Sequence, residues 1–149
     1  MIKFNLFDYL NNNLPLDNLC DLNIEFINCL QVLKENPDEL ISNLKSLSDQ
    51  SKYMYYMNRK YYNYLKKYNH HCFDSSCSRC EKFRDYYVCI SKASLFIYLN
   101  MLCYNNLYKE TNKGVMISSY SGKKYNVKKI CKILKIISSL LKTTVLSHI

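Results

Sequence analysis

An all-α protein, or nearly so, is what this sequence predicts: a single-domain bundle of four to five helices over residues 1–149, with at most one small hairpin near residues 115–127. Three observations lead there. Two Gly and two Pro in 149 residues leave little punctuation for a many-stranded sheet with tight turns. Hydrophobic residues make up 48% of the chain, which excludes wholesale disorder and is ample for a core. Apolar residues recur at helical spacing through most of the length.

Leu6 to Leu10 reads as a short helix, interrupted by Asn11-Asn12-Asn13 and Pro15. Asp17 or Asn18 can cap the next, whose stripe is Leu19, Cys20, Ile24, Ile27, Leu30 and Leu33. Pro37 ends that helix near Asn36 and suits the first turn of a new one, where Asp38 and Glu39 meet the positive end of the helix dipole. Leu40, Ile41, Leu44 and Leu47 are its core face. After Ser48-Asp49 a tyrosine-rich helix runs to about Tyr68, with Tyr61, Tyr64, Leu65 and Tyr68 expected inside.

Residues 69–76 form the clearest mid-chain boundary. Ser75 or Ser76 can cap a central helix running from Cys77 toward Tyr108. Beyond Thr111-Asn112-Lys113-Gly114 the period changes, and Val115–Tyr120 with Lys123–Val127 suggest a hairpin around Ser121-Gly122. A final amphipathic helix carries Ile130, Leu134, Ile137, Leu140, Leu141 and Val145 on one face and five lysines on the other.

The net charge of +9 is divided unevenly. Residues 1–50 hold three lysines against eight carboxylates, a net of −5; residues 51–149 hold 18 cations against four, a net of +14. The basic portion suits a protein, nucleic-acid or anionic partner. Heavy use of Tyr, Asn, Lys and Ile, with no Trp, reads as AT-biased coding of the sort found in some parasites and large DNA viruses. The amino terminus lacks the pattern of a secretory leader and the lysines of the last helix make it a poor membrane span, so an intracellular, cytoplasmic location is expected. Eight cysteines there would be thiols or metal ligands.

The chemistry concentrates between residues 53 and 80, where seven tyrosines interleave with cations and run into a Cys/His cluster. Tyr55, Tyr56 and Tyr62 are expected to be exposed, forming with Arg59, Lys60, Lys66 and Lys67 a partner-binding surface: rings offer contact area, cations an electrostatic footprint. His70, Cys72, Cys77 and Cys80 offer borderline-soft ligands at a spacing containing Cys-x-x-Cys, which could hold one structural zinc. A third reading makes Cys77 and Cys80 a redox pair at a helix start. Glycine-rich phosphate loops, HExxH-type helices and nucleophile elbows are absent, so no catalytic residue is singled out.

The phrase Tyr61-Tyr62-Asn63-Tyr64-Leu65-Lys66-Lys67-Tyr68-Asn69, followed by Cys77-Ser78-Arg79-Cys80, resembles the Tyr/Cys texture of malarial variant surface antigens of the interspersed-repeat family. The membrane anchor that this family implies is not seen. The residues themselves favour a small non-enzymatic protein-interaction factor, viral or parasite-encoded, acting on a host or assembly partner. Alternatives are a zinc-stabilised nucleic-acid-binding protein and a CxxC thiol oxidoreductase.

Overall fold

The computed structural model describes residues 18–21, 23–67 and 83–148. Five α-helices carry nearly all of its regular structure: α1 Ile24–Glu35, α2 Pro37–Ser46, α3 Lys52–Lys66, α4 Phe83–Leu102 and α5 Val127–Leu141. The molecule is mainly helical, as its composition predicts. Among the described residues there are also two four-residue strands, β1 Asn18–Asp21 and β2 Val145–His148.

The strands are a departure from expectation, since 18–21 reads as a helix start and Val145 as the end of one. They pair in parallel, Asn18 opposite Val145 and Asp21 opposite His148. Four-residue apolar runs do not reveal their period, and a pairing between opposite ends of the chain leaves no local signal. With 18–21 extended, Asn23 takes over as the cap of α1: its Oδ1 accepts from Glu25 N at 3.0 Å and Phe26 N at 3.2 Å.

The other helix starts follow local rules. Pro37 opens α2 at the position where its missing N–H costs nothing. Ser51 Oγ caps α3 by accepting from Met54 N at 3.2 Å, and Asn126 Oδ1 caps α5 by accepting from Lys129 N at 3.1 Å.

Helix α4 is the hub. Residues 92–100 are buried without interruption, so that stretch is enclosed on all sides, as befits a helix packed against α1, α2 and α3. Phe26 stacks on Phe96, and Ile27, Leu30 and Leu33 join Leu40, Leu44, Ile90 and Leu99 in one continuous core. A single charge pair lies within it among the described residues: Lys92 Nζ stands 3.5 Å from Glu25 Oε2, with side chains 0% and 4% exposed. Helix α5 closes the bundle against α1 and α2.

Beyond α4 the chain turns through Asn105 and Asn106, both at positive φ, a conformation that Asn tolerates better than most residues. Segment 107–120 then returns along α3. Its tip is a tight turn in which Gly114 (φ +76°) donates to Thr111 O at 2.9 Å, flanked by an antiparallel bridge of Glu110 with Met116. The partner of 115–120 is therefore the stretch before it, 103–110, rather than 123–127. The expected helix at 6–10 and the loop at 69–76 lie outside the described residues. Among the described residues, no helix is long and apolar enough to cross a membrane.

Candidate nucleic-acid interface

One side of α3 functions as a surrogate strand. At successive turns, Tyr55 OH donates to Ser118 O at 2.7 Å, Arg59 Nη1 donates to Ile117 O and Ser118 O at 3.2 and 3.0 Å, and Asn63 grips Met116 twice. Asn63 Nδ2 donates to Met116 O at 3.0 Å, and its Oδ1 accepts from Met116 N at 2.8 Å. A carboxamide satisfies a backbone N–H and C=O together, as a neighbouring strand would. Gln50 repeats the device on Tyr125, at 2.9 and 2.8 Å.

A polar cluster secures the far end of this seam. Lys66 Nζ lies 2.6 Å from Glu110 Oε2 and 3.1 Å from Tyr108 OH, with the Tyr62 and Tyr108 hydroxyls 3.0 Å apart. Tyr108 donates its one proton to Glu110 at 3.1 Å, so Tyr62 is the donor to Tyr108. Burial pushes the ionisation of both phenols well above the usual range, which keeps those protons in place.

Between α3 and the 110–115 turn lies a cleft of about 820 Å³. Arg59, Lys60, Lys66, Lys67 and Lys113 line it against two carboxylates, Glu25 and Glu110. Both carboxylates are already paired, with Lys92 and Lys66 respectively. Arg59 is held by backbone carbonyls and lies 4.8 Å from the Tyr56 ring centroid. Lys60, Lys67 and Lys113 are exposed and, among the described residues, their ammonium groups have no ion-pair or hydrogen-bond partner. The cleft therefore presents uncompensated positive charge beside the rings of Tyr56 and Tyr64.

The expected surface is thus partly brought together and partly corrected. Tyr56, Arg59, Lys60, Lys66 and Lys67 do line one cleft. Tyr55 and Tyr62 are 0% exposed and belong to the core, whereas Tyr61 and Tyr64, expected inside, are about half exposed. Tyrosines on every face of α3 hide which stripe is buried, and that stripe proves to be Tyr55, Tyr62 and Leu65. His70, Cys72, Cys77 and Cys80 lie outside the described residues. Among the described residues no group of three or more potential metal ligands occurs, and the thiols of Cys29 and Cys103 are raised by burial, the latter to about 11. Lys113, Glu110 and Asn63 were missed as members of a site. The Lys113-Gly114 turn was legible, but its placement against α3 depends on contacts some fifty positions apart.

A family model for the D12 class N6 adenine-specific DNA methyltransferases matches residues 7–147. The chain belongs to that family. It is also similar to the type II methyltransferase M.MjaIII of Methanocaldococcus jannaschii, with 29% identity over 124 residues. That alignment covers 78% of this chain and 39% of the relative, so this methyltransferase-family chain spans well under half the length of the curated protein it matches.

Membership in an enzyme family overturns the expectation of a non-enzymatic protein-interaction factor, and with it the CxxC oxidoreductase alternative, whereas the nucleic-acid partner of the other alternative agrees with a DNA methyltransferase family. The match along nearly the whole chain also displaces the likeness to variant surface antigens. The missing phosphate loops, metal helices and nucleophile elbows are signatures of other reactions. They do not bear on methyl transfer to an amino nitrogen.

Proposed function

We propose that this chain supplies a DNA-contacting part of an N6-adenine DNA methyltransferase, with the α3 cleft following the phosphate backbone of its substrate. The observation that carries the reading is the lining: Lys60, Lys67 and Lys113 converge on one concavity with no acidic side chain among the described residues left to neutralise them. Phosphates reward that arrangement through counterion release, and such contacts fix register without reading sequence. Arg59, Asn63 and the Lys66–Glu110 pair would hold the opposite wall, carrying Lys113, at its working distance.

The same lining does not fit the methyl donor. A sulfonium such as that of S-adenosylmethionine is positively charged at its reacting centre, and five cations against two paired carboxylates would repel it. The reading assigns the donor, which supplies the methyl group, to the carboxyl ends of β1 and β2, where Asp21 stands opposite His148. Open parallel sheets bind nucleotide-like ligands at that edge.

Lysine acetylation footprinting tests the reading. With duplex DNA at low salt, Lys60, Lys67 and Lys113 should be protected while Lys128 and Lys129 on α5 react as in the free protein. Protection confined to the α5 lysines, or none at all, would refute it.

A further inference from the structure

Beside the cleft, the solvent face of α3 carries Tyr53, Met57, Tyr61 and Tyr64 at 71%, 45%, 49% and 52% exposure. Four large side chains left in water along one helix call for an explanation. Tyr61 and Tyr64 form a pair, with ring centroids 6.5 Å apart and planes within 17° of parallel. Tyr64 also lines the cleft, so the pair continues the cleft outward over its lip. Lys60 and Lys67 flank it, and α3 contains no Asp or Glu at all.

Near-parallel rings edged by exposed cations are what an unpaired nucleotide strand needs. Every base has a π-face to stack, and the adjoining phosphates meet ammonium groups. A paired duplex offers no such face along its side. A protein partner would gain nothing from the exclusion of acidic residues unless it were itself strongly anionic.

Resting on the DNA-contact reading above, we infer that the Tyr61–Tyr64 pair is a stacking platform for unpaired bases of the DNA substrate. The N6 of adenine lies on its pairing edge, inside the duplex, and a base must leave the stack before an enzyme can act there. Opening the duplex beside the cleft exposes unstacked bases, and a platform at the lip would capture them and stabilise the opened state.

Fluorescence anisotropy with the full 149-residue chain tests this. Three labelled DNAs are compared at one low salt concentration: a fully paired duplex, the same duplex with one unpaired adenine, and the corresponding single strand. Tyr61→Ala and Tyr64→Ala should each weaken binding to the second and third by about 5- to 150-fold, the range for losing one base–aromatic stack. Binding of the paired duplex to Tyr61→Ala, whose ring is not part of the cleft lining, should change less than about twofold, and Tyr61→Phe and Tyr64→Phe, which keep the ring, should match wild type on the second and third. Equal losses on all three DNAs with Tyr61→Ala, or no loss with either alanine variant, would overturn the platform while leaving the cleft intact. Tyrosine-dependent binding of single strands by a protein that ignores paired duplex would overturn the cleft reading and support the platform. Failure to bind any of the three would overturn both.

Discussion

Asn63→Ala removes one side chain that serves two backbone groups. In the native protein Met116 N and Met116 O both bond to the Asn63 carboxamide, at 2.8 and 3.0 Å, and the Met116 side chain is buried at 1% exposure. Truncation leaves a donor and an acceptor without their partner. At about 1–3 kcal/mol for each unsatisfied group, tempered by water entering from the neighbouring cleft, the expected loss is about 2–4 kcal/mol. Asn63→Asp keeps the acceptor for Met116 N but turns a second oxygen toward Met116 O, so its loss should be comparable rather than intermediate. Urea denaturation of the three proteins gives the comparison through their midpoints at constant slope. A loss below about 0.5 kcal/mol for Asn63→Ala, typical of an unremarkable surface site, would refute the surrogate-strand account of α3.

Lys92→Met should cost about 3–5 kcal/mol by removing the cation opposite the buried Glu25 carboxylate, whereas Lys92→Met with Glu25→Leu should recover most of it; equal losses from the single and double variants in urea melts would show that the pair is not coupled. Alkaline pH should also destabilise the fold. Burial raises the ionisation of Tyr55, Tyr62, Tyr108 and Tyr125 above the ordinary 10.0, so unfolded phenols lose protons before folded ones do. Their contribution is complete below that value and declines as pH rises through the raised ones, with Cys29 adding to the loss from its ordinary 9.0 upward. Urea midpoints that stay flat across this range would contradict the burial of those hydroxyls.

Where the sequence was legible, the signals were local. Pro37 marks the start of α2, and of the apolar stripe expected for the last helix Ile130, Leu134, Ile137 and Leu141 are buried, whereas Leu140 is exposed and Val145 belongs to β2. Long-range contacts were not legible. The parallel pairing of β1 with β2 joins opposite ends of the chain, and the same apolar letters serve a helix equally well. In α3 the difficulty was chemical, because Tyr suits a core when its hydroxyl is satisfied and a surface when it is not. Tyr55 finds Ser118 O and Tyr62 finds Tyr108, and both partners arrive from the segment after α4. The cations of the site were visible as a basic run, but its second wall was not, since Lys113 reaches the cleft only through the grip of Asn63 and Lys66 on 110–116. The family left no mark on these local signals and is shown by the match over residues 7–147.

The salt dependence of duplex binding tests the DNA-contacting cleft most directly. Each phosphate neutralised contributes about 0.9 to the slope of log affinity against log salt, so Lys60→Gln, Lys67→Gln and Lys113→Gln combined should flatten that slope by about 2.7 relative to wild type. Identical slopes for the two proteins would mean that these lysines do not meet the DNA backbone.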